Sequence, residues 1–156
     1  NIHCNGVYGD KASALDRFCT NFELLPESVK TRLTVENDDK ASMYSVKDLM
    51  YIHKRIGIPI VFDYHHHKFC PGDMTEQEAL ELAISTWPEG ITPVVHYSES
   101  KALHESNEKL KPQAHSDYID NTPNTYGNTV DIMVESKAKE LSILPHLKLN
   151  PDLTIS

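Results

Sequence analysis

No run of about 18 apolar residues occurs anywhere in this sequence, so it offers no segment suited to span a bilayer as a helix. Nor is there a secretory leader pattern, and the expectation is a soluble, intracellular protein with no membrane partner, in the cytoplasm of a bacterium or archaeon or in a nucleus or host cell. Cysteine is scarce: Cys4, Cys19 and Cys70 are an odd number without disulfide-framework or zinc-finger spacing, which points to a reducing compartment. Cys70 reads either as a soft ligand or as a small half-buried thiol. Glycine is scarce too, with six in the chain, and no Gly-x-Gly-x-x-Gly or phosphate loop is present to cradle a nucleotide. Positive charge is outweighed, 15 Lys and Arg against 23 Asp and Glu, for a net charge of -8 that argues against a nucleic-acid partner. That count omits bound ions, and two or three divalent cations would add about four to six charges where a phosphate must sit. There is no internal repeat, low-complexity tract or clear linker. The 156 residues, 39% of them apolar, suit one domain with a real core.

What is present is a repeated junction. The apolar run Ile58-Pro59-Ile60-Val61-Phe62 closes on Asp63-Tyr64-His65-His66-His67. A short β-rich apolar run reads as a buried parallel strand, and function collects in the loop at its carboxyl end. Asp63 and His66 are spaced to meet one ion, and carboxylate oxygen with imidazole nitrogen suits zinc, manganese, iron or nickel. A polar turn with three solvated histidines is the alternative. The same grammar recurs: Arg32–Val35 runs into Glu36-Asn37-Asp38-Asp39, Ile91–Val95 into His96-Tyr97-Ser98-Glu99, and Val130–Val134 into Glu135, while Asn1–Gly6 has the same form around His3. On neighbouring parallel strands of a closed barrel these ends converge on one rim.

Helical signals lie between the strand ends. Ser13 to Leu24 places Leu15, Phe18, Cys19 and Phe22 on one face before Pro26. Ser45 and Asp48 form a capping box for a helix carrying Leu49, Ile52 and Ile56, with Gly57 at its stop. Thr75 and Glu78 form another before Ala79, Leu82, Ala83 and Thr86. Strand–helix alternation means an α/β fold with a parallel sheet, and the missing glycine motif favours a TIM-like (β/α) barrel over a doubly wound sheet. The stretch from Pro112 to Gly127 reads as loop and short strand, within which His115 and Asp117 can place a ligand and an orienting carboxylate together. A surface turn is the alternative there, and residues 98–101 read as a solvated loop, the alternative being that Glu99 or Lys101 meets substrate.

Taken in order, these residues resemble the UV damage endonucleases, whose relatives include endonuclease IV. The resemblance rests on His3 with Val7-Tyr8-Gly9-Asp10-Lys11, on Arg32–Asp38, on Phe62–His67, on His96-Tyr97-Ser98, on Ala114–Ile119, and on Asp131–Glu140. It implies a (β/α) barrel whose metal ligands here are His3, Glu36, Asp63, His66, His96, His115 and Glu135, holding two or three divalent ions, manganese most readily, with zinc or another transition metal as alternatives. Glu36, Asp63 and Glu135 are the expected catalytic carboxylates. Tyr8, Asn37, His65, His67, Tyr97, Ser98, Asp117 and Lys137 are candidates for contacts to substrate or to the ligands.

Two departures from the family pattern stand out. The family's first barrel strands, with further histidine ligands and residues that probe the lesion, have no counterpart here. The expectation is therefore a partial barrel of about five core parallel strands, a piece of a longer protein. Residues 1–144 would form the carboxyl-terminal portion of the barrel and residues 145–156 a tail, with the missing strands replaced by self-association or a partner chain. In some relatives a lysine able to bridge metals lies two residues before the strand histidine; Val94 stands there in this sequence. The implied activity is nicking of UV-damaged double-stranded DNA on the 5′ side of the photoproduct by metal-assisted phosphodiester hydrolysis. The alternatives are an abasic-site endonuclease or sugar isomerase on the same barrel, or a non-catalytic DNA- or partner-binding fragment.

Overall fold

The computed structural model describes residues 1–153. Five strands, β1 (Ile2–His3), β2 (Val35–Glu36), β3 (Ile60–Asp63), β4 (Val94–Tyr97) and β5 (Asp131–Val134), form one sheet in sequence order, every pair parallel. Helices α1 (Lys11–Glu23), α2 (Glu27–Lys30), α3 (Val46–Ile56), α4 (Tyr64–His67), α5 (Glu76–Ile84), α6 (Lys101–His104) and α7 (Glu140–Leu149) occupy the connections. The chain thus folds as the partial TIM-like (β/α) barrel that its alternating signals describe.

Register sets the curvature. His3 lies level with Glu36, but Glu36 lies level with Val61, so Asp63 stands two residues higher on β3. Asp63 is again level with His96, which is level with Met133, and Glu135 follows two residues on. The rise averages one residue per strand, the stagger of an eight-stranded barrel with a shear of 8. Because every step is even, His3, Glu36, Asp63, His96 and Glu135 all leave the sheet on the same face.

The opposite face carries the core. Val35, Ile60, Phe62 and Val95 pack with Leu15, Cys19 and Phe22 of α1, Leu49 and Ile52 of α3, and Leu80 and Ala83 of α5. Burying such a side chain contributes about 1.5–3 kcal/mol each, which holds the strand ends in place from behind. Helix ends follow local chemistry. Both capping boxes form, with Asp48 N–H bonded to Ser45 Oγ and Glu78 N–H to Thr75 Oγ1, and α3 stops at Gly57 in the left-handed region (φ 70°). The first helix begins at Lys11 rather than Ser13, because Asp10 accepts the Ser13 N–H and starts the turn earlier. Of the segment expected as a tail, residues 145–149 continue α7 and residues 154–156 lie outside the described residues. Cys70 is buried, and burial pushes its thiol up to about 11, which keeps it protonated. Among the described residues no helix is long and apolar enough to cross a membrane.

Candidate metal centre

The carboxyl ends of the five strands meet at Glu36. Its Oε1 lies 3.3 Å from His66 Nδ1, and its Oε2 lies 3.3 Å from His96 Nδ1 and 3.9 Å from His3 Nε2. His96 Nδ1 is also 3.2 Å from Glu135 Oε1, and Glu135 Oε2 is 3.7 Å from His115 Nδ1. Asp63 Oδ2 is 4.0 Å from His66 Nδ1. All seven residues expected as ligands therefore join one connected cluster. Two overlapping groups, His3 with Glu36 and His66, and Glu36 with Asp63 and His96, each bring three ligand atoms within 4.8 Å of one another. Glu36 belongs to both, its Oε1 beside His66 and its Oε2 between His96 and His3.

Proximity here is not hydrogen bonding. His3 Nδ1, His96 Nδ1 and Asp63 Oδ2 are buried and have no aligned hydrogen-bond partner among the described residues. Buried polar atoms are ordinarily satisfied, because leaving one bare costs roughly 1–3 kcal/mol. His3 Nδ1 faces Asp38, whereas His96 Nδ1 and Asp63 Oδ2 lie within the oxygen and nitrogen donors around Glu36, a set that a divalent transition metal would complete. Val94, two residues below His96 on the same face, adds no donor.

The electrostatics agree. Burial pulls the His96 imidazole down, but Glu135 and Glu36 beside it outweigh that and raise it to about 10: the carboxylates draw in a proton where no other cation is supplied. Asp63 is raised to about 6 by burial, against the pull of His66 and with Glu36 and Glu135 adding to the rise. Glu36 moves down despite burial because His96, His3 and His66 surround it. Glu135 is lowered chiefly by His96. His115 is depressed by burial, which leaves its imidazole neutral and available as a ligand.

Local structure explains how each group arrives. Asp63 ends β3 and caps α4, its Oδ1 accepting the His66 N–H at 2.7 Å, so the carboxylate and the imidazole three residues on are aimed together. The Asn37 amide acts as a rung between β2 and β3: its Nδ2 donates to Asp63 O at 3.0 Å and its Oδ1 accepts Asp63 N–H at 2.8 Å. Asn37 O lies 2.9 Å from His66 Nδ1, and because a carbonyl only accepts, it holds a proton on that nitrogen and leaves Nε2 as the unprotonated one.

The other sequence candidates divide. His65 is buried beside the cluster, its Nε2 3.2 Å from Gln113 O and its ring edge-on to His115 at 5.4 Å. His67 instead rests on Phe62, on the helix side of the sheet, away from the cluster. Tyr97 is also a core residue, with its hydroxyl donating to Glu99 Oε1 at 2.8 Å. Ser98 is fully buried with its Oγ unpartnered among the described residues. Asp117 is held by Lys101 at 3.2 Å, and Lys137 is exposed. Tyr8 stands 85% exposed on the loop after β1, its ring 5.5 Å from the Arg17 guanidinium. Asp38 escaped sequence reasoning, and Glu99, read there only as a candidate substrate contact, has a different place. Asp38 Oδ1 lies 3.3 Å from His3 Nδ1 and raises that imidazole, and Glu99 anchors the loop that bears His115. An acidic residue two beyond Glu36 was the available signal for Asp38.

A family model described as UV-endonuclease UvdE matches residues 1–155. This chain belongs to that family. It is 37% identical over 153 residues to the UV DNA damage endonuclease of Bacillus cereus (strain Q1), covering 92% of this chain and 46% of that protein. To the UV-damage endonuclease of Schizosaccharomyces pombe (strain 972) it is 38% identical over 148 residues, covering 91% of this chain and 24% of that one. The crystal structure of SacUVDE superposes with a TM-score of 0.80 at 34% identity, covering 97% of this chain and 51% of that chain. The UvdE-family chain described here therefore spans about half the length of the bacterial relative and of the solved structure, and a quarter of the yeast protein.

Proposed function

We propose that this chain supplies the metal-binding half of a divalent-metal-dependent endonuclease that nicks duplex DNA on the 5′ side of UV photoproducts. The observation that carries the reading is the pair of buried ligand atoms without aligned partners beside Glu36, His96 Nδ1 and Asp63 Oδ2. His3, Glu36, Asp63, His66, His96, His115 and Glu135 would hold two or three ions; the mixed nitrogen and oxygen donors suit zinc, manganese, iron or nickel, and the family resemblance implies manganese. Bound there, such ions supply positive charge to a scissile phosphate and make an attacking water more acidic.

The side chains do the rest. Glu36 can serve two ions at once, since its oxygens face different imidazoles. Asn37 O fixes the His66 tautomer and Asp38 turns His3 toward Glu36. The net charge of -8 means that a phosphate approaches this rim only where cations offset it. A damaged base unstacks at lower cost than an intact one, so a protein that bends the duplex draws selectivity from the lesion itself. The names of the relatives support UV-damaged DNA as substrate, which would place the protein with the DNA inside the cell.

The test compares nicking of UV-irradiated, abasic and intact duplexes by the protein with its barrel strands complete, after chelation and after manganese is restored. Manganese-dependent cuts 5′ to photoproducts are expected, and His66→Ala should weaken ion binding tenfold or more while His65→Ala acts less. Preference for abasic sites would instead favour the abasic-site reading. Binding of metal and DNA without turnover would make the chain a non-catalytic module.

A further inference from the structure

His115 differs from the other imidazoles of the cluster in that no sheet strand carries it. It sits in an irregular stretch between α6 and β5, yet its Nδ1 is held 3.7 Å from Glu135 Oε2. Something outside the sheet must fix it. Residues 114–117 form a ribbon clamped on both sides. Lys101 N–H donates to Ala114 O at 2.7 Å, Ser116 N–H donates to Glu99 O at 2.8 Å, and Ser100 faces His115 across an antiparallel bridge. On the other side Lys137 N–H donates to Ser116 O at 3.0 Å and Ala138 N–H to Asp117 O at 2.9 Å, just beyond Glu135.

The chain just beyond the ribbon is tied by the side chain of Glu99, a residue 7% exposed. Its Oε1 accepts Tyr97 Oη–H at 2.8 Å, Asn121 N–H at 2.9 Å and Asn121 Nδ2–H at 3.2 Å. Its Oε2 accepts Asp120 N–H at 3.1 Å and meets His104 Nε2. Glu99, His104 and Asp120 bring ligand atoms within 4.8 Å of one another, but five donors already fill both Glu99 oxygens. The carboxylate is an anchor. Hydrogen bonds to an ionised acceptor are roughly twice as strong as neutral ones, and removing it strands buried donors.

We propose that Glu99 is a positioning residue: by tethering residues 120 and 121 it fixes the ribbon that holds His115 opposite Glu135, and so sets how firmly that end of the centre binds a divalent ion. The ion-binding part rests on the metal reading above; the positioning part does not. Burial works against the charge on Glu99, but its donors prevail and hold it at about 2, so the anchor stays ionised in ordinary buffers.

The experiment uses this chain, its Glu99→Ala, Glu99→Gln and His115→Ala variants, and the Glu99→Ala/His115→Ala double variant, with manganese alone as the probe. Calorimetry should show that Glu99→Ala and His115→Ala each weaken manganese binding by tenfold or more, and that the double variant is no weaker than His115→Ala. Glu99→Gln keeps an acceptor for Asn121 and Tyr97 but turns an amide toward Asp120 N–H, so it should fall between wild type and Glu99→Ala. Independently of metal, amide exchange in Glu99→Ala should speed at Ser116, Lys137 and Ala138, which Glu99's side chain does not touch, while β3 keeps its protection. Additive losses in the double variant, unchanged exchange at those amides, or deprotection spreading through β3 would overturn the proposal. If wild type takes up no manganese, the metal reading fails and the exchange pattern alone decides the role of Glu99.

Discussion

Within the turn Tyr64–His67, neighbouring imidazoles face different surroundings. His66 turns to Glu36, while His65 lies between Phe69 and His115 with its Nε2 at Gln113 O and its Nδ1 buried without a partner among the described residues. Burial is the main reason His65 is depressed to about 4. Between that value and the unfolded value near 6.5 the folded chain binds fewer protons than the unfolded one, so stability falls as pH drops through this window. Thermal melts of the metal-free chain from pH 7 to pH 4 should therefore decline less in His65→Phe than in wild type; parallel slopes would show that His65 charges freely. The spacing of Asp63 and His66 was legible in the sequence because a capping carboxylate and the residue three on share one side of a helical turn. Asp38 and Glu99 were not legible in the same way, because their partners His3, Asp120 and Asn121 are brought to them by the fold rather than by sequence proximity.

Elements obey local chemistry where that chemistry is complete. Both capping boxes and the Gly57 stop were readable, since each involves residues within three positions of a helix end. Gly57 has φ 70° and open space where a side chain would go, so Gly57→Ala meets backbone strain alone. A loss of about 1–2 kcal/mol is expected, measured as a lower urea midpoint with an unchanged slope, and no loss would mean that α3 can end without a left-handed residue. The last helix was hidden by Pro145, which reads as a breaker because it lacks an N–H. It persists where Ser142 and His146 are buried, the Ser142 hydroxyl accepting Ile119 N–H at 3.1 Å and His146 Nε2 lying 3.0 Å from the Thr122 hydroxyl. Those are distant partners, invisible to periodicity.

At the scale of the whole molecule the sheet ends on two strands with one neighbour each, β1 and β5. Met133, on the face that bears the ligands, is 55% exposed. Unpaired backbone edges invite another chain, so the isolated 156 residues are expected to self-associate or to take up a partner segment, read by light scattering over a range of concentrations. A monomer that selectively incises UV-irradiated DNA would refute the view that further strands are needed. Strand order was accessible from the sequence because five apolar runs end in the same class of side chain; the stagger between them was not, because register depends on how helices and loops take up length. That stagger makes the centre sensitive to counting rather than to chemistry. Adding one residue to β4 below Val95 would turn Val95 toward the ions and drive the imidazole into the helix layer, whereas adding two would restore its side at a different height. The strands should therefore accept many apolar exchanges and scarcely any change of length, so that lineage variation in this part of the chain is expected in letters within strands and in numbers between them.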